Sequence, residues 1–225
     1  MKEKKTVSQL FMILSAVYVT CLLLSNLTAG KMWAVTGSIT LPAAVILFPV
    51  TYILGDIFTE VYGFKSARSV IWLGFACSFF AVLVYLITIA LPHPGFWEGQ
   101  DAYALVLGTT PRVALASFAG YLFGEFSNSI VLSKLKVATG GKKLWMRTIG
   151  STLIGEGFDS VIFVMISFWG TMDNATVLKM ILFQYLFKVC YEIIFTPVTY
   201  AVIGRVKKAE NMDVYDRGIS YNVIR

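Results

Sequence analysis

The sequence predicts an all-α membrane protein of six transmembrane helices with both termini in the cytoplasm. Three observations carry this. Hydrophobic residues make up 57% of the 225 and charged residues only 14%, which is more apolar surface than a water-soluble core of that size can hide. Three runs without charge, Thr6 to Gly30, Met32 to Gly55 and Ser69 to Leu91, each meet or exceed the roughly 20 residues that cross a hydrocarbon core. Basic residues collect in alternate connections, as the positive-inside rule requires.

Helices are expected near 8–30, 39–62, 68–91, 111–136, 147–170 and 175–204, filling 1–225 as a single integral membrane domain. The first run is too long for the apolar region of a signal peptide and reads as an uncleaved helix. The N-terminus (Lys2, Lys4, Lys5), the connections Tyr62–Arg68 and Ser133–Arg147, and the tail after Gly204 (Arg205, Lys207, Lys208) are basic. The other connections hold only Lys31, then Glu98 and Asp101, then Asp173. The net charge of +6 is thus a topology signal rather than a nucleic-acid footprint. The segment Pro92–Thr110, rich in Pro, Gly and aromatics, is expected either to cap the outer mouth or to anchor at the interface.

The informative residues are the polar ones inside these spans. Asp56 and Glu60 lie at i,i+4 on the second helix, Glu125 and Asn128 at i,i+3 on the fourth, and Glu156 and Asp159 at i,i+3 on the fifth; Gln184, Lys188 and Glu192 follow at i,i+4 steps on the sixth. Each set shares one helical face. A charge at mid-membrane costs at least about 2.5 to 3.5 kcal/mol on insertion scales, so these faces must meet one another or a wet cavity. Six carboxylates (Asp56, Glu60, Glu125, Glu156, Asp159, Glu192) face one lysine, Lys188. Some must be protonated, hydrated or satisfied by a ligand that donates hydrogen bonds. Glu60, near a boundary, has Lys65 and Arg68 as candidate partners.

Pro42 and Pro49 are expected to interrupt the second helix and Pro197 the sixth, each removing a backbone donor; such breaks in membrane helices line protein or water, which puts a cavity beside these two helices. Ala116, Gly120, Gly124 and Asn128 form a small-residue stripe on the fourth helix that admits another helix closely, from the same chain or from a second protomer. Cys21, Cys77 and Cys190 are apart and form no CxxC pair, and the single histidine, His93, lies between two prolines. No metal or other cofactor is expected. Gly30-Lys31 and Gly141-Lys142 lack the upstream glycine of a phosphate loop, so the chain does not itself hydrolyse ATP by that route. A nucleophile would lack a histidine base, and an enzyme is not expected.

Phe48-Pro-Val-Thr-Tyr-Ile-Leu-Gly-Asp-Ile-Phe-Thr-Glu-Val-Tyr-Gly63, followed by Lys65-Ser-Ala-Arg68, resembles the signature of the queuosine precursor transporter family, also described as vitamin uptake transporters. Asn26-Leu-Thr-Ala-Gly-Lys31, Gly124-Glu-Phe-Ser-Asn-Ser129 and Gly155-Glu-Gly-Phe-Asp-Ser160 extend the likeness through nearly the whole chain. The resemblance implies import of 7-cyano-7-deazaguanine or its aminomethyl analogue across the bacterial inner membrane for tRNA queuosine salvage. It also implies an architecture similar to the substrate-binding subunits of energy-coupling-factor transporters. Those dock an ATPase module through an AxxxA stripe on the first helix, whereas here Ala16 is followed four residues later by Thr20. A solitary transporter is expected, the alternative being a capture subunit that needs a separate ATP-driven module.

A guanine-like base presents two parallel N–H donors that one carboxylate can accept, and a carbonyl for an amide or lysine. The substrate site is therefore expected from Asp56, Glu125, Asn128, Glu156, Asp159 and Lys188, with Asn26, Gln184 and Glu192 close by. Tyr52, Phe58, Phe158 and Tyr185 are the aromatics available to stack on the ring. The expected partners are this deazapurine and the lipid bilayer, with no nucleic acid and with a homodimer through the stripe as an option.

Overall fold

The computed structural model of the chain describes residues 8–28, 31–36, 39–108, 111–171 and 173–224. Lys2, Lys4 and Lys5 lie outside the described residues. The chain runs α1 (Gln9–Thr28), β1 (Met32–Thr36), β2 (Ile39–Pro42), a 3-10 turn (Ala43–Ile46), α2 (Phe48–Tyr62), α3 (Phe64–Ala90), α4 (Gln100–Leu107), α5 (Pro111–Ala138), α6 (Leu144–Phe168) and α7 (Asn174–Glu210). Among the described residues, five stretches are long and apolar enough to cross a membrane: α1, α3, the stretch made by α4 and α5, α6 and α7.

The second expected span departs from a single helix over 39–62. Its first part is an antiparallel hairpin pairing Trp33 with Leu41 and Ala34 with Thr40. Pro42 closes the second strand, and Pro49 stands in the first turn of α2, where its missing N–H would be unpaired anyway. Proline thus starts this helix instead of breaking it. At 15 residues α2 is about 22 Å long, short of the roughly 30 Å hydrocarbon thickness. Pro197, by contrast, is accommodated inside a continuous α7.

The bundle is apolar outside and polar inside. Ile194 is 70% exposed and Phe80 67%, while Glu192 on the same helix as Ile194 is 2% exposed. That inversion of a soluble fold is what lipid as solvent demands. An apolar core still forms where α1, α2 and α3 meet, from Tyr18, Ile57, Phe58, Val61 and Val70. The Phe11 ring packs edge-on against Tyr62 at 4.8 Å. Gly63 joins α2 to α3 in one residue at φ 84°, a conformation that favours glycine. In segment 92–108, Gln100 donates to the Ile89 carbonyl at 2.8 Å and Tyr103 to Thr88 at 3.1 Å. The segment folds back on the end of its own α3.

The closest helix pair is α5 with α6. A Cβ on Gly124 would stand 2.9 Å from the Asp159 Cβ, and one on Gly155 would stand 2.8 Å from both the Asn128 Cβ and the Gly124 carbonyl oxygen. The small-residue stripe is taken up by α6 of the same chain.

Gly155→Val should therefore lower the thermal stability of the detergent-purified protein by about 1–3 kcal/mol, the usual overpacking cost. Gly157→Ala, whose added carbon meets nothing nearer than Tyr185 at 3.7 Å, should be neutral in the same melt.

Candidate functional site

The acidic faces of four helices converge in two separate clusters. In the first, Lys188 of α7 is 3% exposed and pairs with Glu156 of α6 at 2.6 Å and with Asp159 one helical turn on. Asn128 of α5 donates its amide to Asp56 Oδ1 of α2 at 3.2 Å. Tyr18 of α1 hydrogen-bonds Glu125 and sits 3.4 Å from the Tyr121 hydroxyl. Tyr121 in turn donates to the Ile71 carbonyl at 3.0 Å. Glu192, buried on α7, lies close enough to Asp56 for their charges to interact.

Among these groups is a cavity of about 10 Å³ lined by Tyr52, Gly55, Gly124, Glu125, Asn128, Thr152 and Glu156. That is room for about one water. The cavity belongs to α2, α5 and α6, and α7 reaches it only through Lys188 on Glu156, so it is not the space between the second and last spans that the prolines pointed to. Gly55 matters by absence of a side chain: a Cβ there would be 3.3 Å from Glu125 Oε2.

Seven of the nine expected site residues meet here: Asp56, Glu125, Asn128, Glu156, Asp159, Lys188 and Glu192. Two do not. Asn26 is exposed near the end of α1, and Gln184 is half-buried on α7; neither has a hydrogen bond to the cluster among the described residues. Of the four aromatics, Tyr52 lines the cavity, Phe58 is buried in the apolar core, and Phe158 is 49% exposed on the outside of α6. Tyr52 and Thr152 complete the lining, and only a matched helix depth, which sequence spacing does not give, would have selected Thr152.

The second cluster was missed. Glu60, 0% exposed, does not pair with Lys65 or Arg68. Its Oε1 takes Arg147 at 2.6 Å, Lys207 at 2.8 Å and Lys136 at 3.7 Å. Lys136 and Lys207 also hold Asp213 at 2.5 and 2.9 Å. Arg68 instead donates to the Asn222 carbonyl at 2.8 Å, and Asp216 accepts from the Phe64 N–H at 2.8 Å and from Ser133 at 2.7 Å. Residues 211–224 therefore strap the α2–α3 corner to α5. A Cβ on Gly63 would meet Val214 and Asp216 at 2.8 and 2.9 Å, a second reason for glycine there.

Long apolar helices turned outward around a small buried cavity of ionisable groups are the construction of an integral membrane transporter. A family described as "Putative vitamin uptake transporter" matches residues 42–202, and the chain belongs to it. It is 27% identical over 157 residues to the "Probable queuosine precursor transporter" of Bacillus subtilis (strain 168), covering 69% of each chain. It is 29% identical over 159 residues to the "Queuosine precursor transporter" of Escherichia coli (strain K12), again covering 69% of each. A "Probable queuosine precursor transporter" of Haemophilus influenzae is 27% identical over 165 residues, 72% of this chain and 67% of that one. No solved structure matches the chain. The protein is a multi-pass transporter of a bacterial membrane, not an enzyme.

Glu60→Gln leaves Arg147 buried without its carboxylate, and should cost about 3–5 kcal/mol, read as a large drop in melting temperature. Adding Arg147→Met should recover part of the loss. Burial alone would raise the Asp213 carboxyl, but hydrogen bonds from Lys136 and Lys207 outweigh it and hold Asp213 below the usual aspartate range. The stability it adds is fully present above the unfolded value, about 4, and disappears as the pH falls through its lower folded value. Asp213 is 43% exposed, so screening keeps the effect at or below about 1 kcal/mol. The melting-temperature gap between wild type and Asp213→Asn should be constant above about pH 4 and close below it.

Proposed function

We propose that the chain imports a 7-deazaguanine precursor of queuosine, 7-cyano-7-deazaguanine or its aminomethyl analogue, across the bacterial cytoplasmic membrane for tRNA queuosine salvage. It acts as an autonomous transporter. It crosses the membrane six times with both termini inside, α2 and its hairpin together making the second crossing, as in the substrate-binding subunits of energy-coupling-factor transporters. The observation that carries the reading is an excess of acceptors. Lys188, the Asn128 amide and the Tyr18 and Tyr52 hydroxyls are the donors turned to the cluster, fewer than the acceptor positions of its five carboxylates, and Asn128 Oδ1 has no partner among the described residues. A ligand that suits such a site must bring N–H groups. The lactam and exocyclic amine of a guanine-like base bring two in parallel, matched to one carboxylate.

Glu125 and Glu156, which line the cavity, are the base-binding carboxylates in this reading. Asn128 serves the polar edge, Tyr52 supplies a ring wall, and Asp159 with Lys188 holds Glu156 in place. The names of the relatives support the substrate class. A water-sized cavity does not hold a purine-sized base, so binding requires α2 to move away from the α5–α6 pair.

In liposomes containing this protein alone, uptake of labelled 7-cyano-7-deazaguanine should saturate and should be competed by excess guanine. Loss of one charge-assisted interaction of about 1.5–3 kcal/mol makes Glu125→Gln weaken half-saturation by about 10- to 100-fold. Binding without uptake would mean that a separate energising module is missing.

A further inference from the structure

Toward the C-terminal end of α2 the cavity is sealed in three layers. The first is the buried Thr59–Ser129 hydroxyl pair at 2.9 Å. The second is Glu60 with Arg147 at 2.6 Å, neither more than 1% exposed. The third is the C-terminal tail: Asp216 Oδ2 accepts from the Phe64 N–H at 2.8 Å and from the Ser133 hydroxyl at 2.7 Å, and Lys136 donates to the Val214 carbonyl at 2.7 Å. In the other direction the cavity is less closed, for Glu156 and Asp159 keep 13% and 22% of their side chains exposed. Lys136, Arg147 and Lys207 all lie on the sealed side, which marks it as the inner one.

The tail holds two bodies together. On one side it is tied to the α2–α3 corner and to α3: the Val214 N–H donates to the Val61 carbonyl at 3.1 Å, and Trp72 and Arg68 donate to the Val223 and Asn222 carbonyls at 2.7 and 2.8 Å. On the other it docks on α5, where the Ser133 hydroxyl meets both Asp216 and, at 3.0 Å, the Tyr221 hydroxyl, and where Lys136 also holds Asp213 at 2.5 Å. The last turn of α2 therefore cannot leave α5 unless the tail does. Side-chain bonds alone cross the seam at Ser133 and Lys136, whereas a main-chain bond joins the tail to α2. The tail accordingly moves with the α2–α3 corner, and the seam on α5 is where the layers part.

We propose that residues 213–221 are the inner gate of the cavity. Docked on α5 they shut it from the inner water, and when the seam at Ser133 and Lys136 opens, α2 and the tail swing away together and a bound base leaves inward. Asp216 is a positioning residue: it touches no substrate, and through one oxygen it joins the first N–H of α3 to α5 and so sets how often the seam opens. Release of a base rests on the transport reading above; the seal and its seam do not.

With Cys21, Cys77 and Cys190 changed to alanine, Thr152→Cys places a single thiol in the cavity wall. In inside-out vesicles a membrane-impermeant thiol reagent should label it slowly. Adding Asp216→Ala should raise that rate about 10- to 100-fold, the factor for one charge-assisted hydrogen-bonding group, and leave labelling from the outer side unchanged. An inner rate that Asp216→Ala does not raise overturns the gate, and so does an equal rise from both sides, the sign of general loosening. In liposomes, Ser133→Cys with Asp216→Cys, bridged by a short reducible cross-linker, should lose deazapurine uptake and recover it on reduction. Undiminished uptake with the bridge in place overturns the gate. Asymmetric labelling without uptake in any form of the protein would sink the substrate reading while upholding the gate.

Discussion

One carboxylate without access to water organises one end of this bundle. Glu60 draws Arg147 from the start of α6, Lys207 from the end of α7 and Lys136 from the end of α5 onto a single oxygen. Three cations around one buried anion would repel, and Asp213 from the tail relieves this by bridging two of them. Each partner stays buried only while the others are in place, because an uncompensated charge there costs several kcal/mol. The ends of four helices and the C-terminal strap are thereby fixed relative to one another. Buried ion pairs are weak evidence of net stability, and what this one supplies is position.

The nine residues from Gly55 to Gly63 show how densely one short helix can be used. Gly55 leaves space for Glu125, Asp56 takes the Asn128 amide, Thr59 bonds Ser129 at 2.9 Å, Glu60 gathers the cations, Tyr62 meets Phe11, and Gly63 turns the chain beneath Asp216. Ile57, Phe58 and Val61 between them fill the apolar core. Asp56 and Glu60 share a face, yet one turn of about 5.4 Å sends them to different clusters with opposite charge balance: excess cation around Glu60, excess acid around Asp56.

Spacing and composition located five long apolar stretches, because length and hydropathy are properties of a single helix and its solvent. One lysine among six acids was legible; that it pairs with Glu156 and Asp159 was not. Depth across helices was not legible. Lys136, Arg147 and Lys207 sit in basic connections and satisfy the positive-inside rule so well that a second role was invisible, although two of them are at most 2% exposed. The hairpin at Met32–Pro42 was equally hidden, because an apolar run that ends at a proline fits a strand pair and a membrane helix alike. Asn26 was included for its place in a motif, and the fold leaves it outside the cluster.

The packing also says which parts can separate. Glycines at 124 and 155 bring α5 and α6 into backbone contact, so neither can shift along the other without closing on a carbonyl oxygen. They form one rigid wall of the cavity. The opposite wall is α2, held to that pair at the site by the Asn128–Asp56 and Thr59–Ser129 hydrogen bonds and by Tyr52 on Glu156, and at its end by Glu60. A hydrogen bond contributes about 1 kcal/mol net, a buried ion network a good deal more to break. The cavity must therefore widen at Asp56 before it parts at Glu60. Motion that hinges at Glu60 lengthens the Asn128 contact first, which frees Asp56 from its amide at the moment the cavity admits a base.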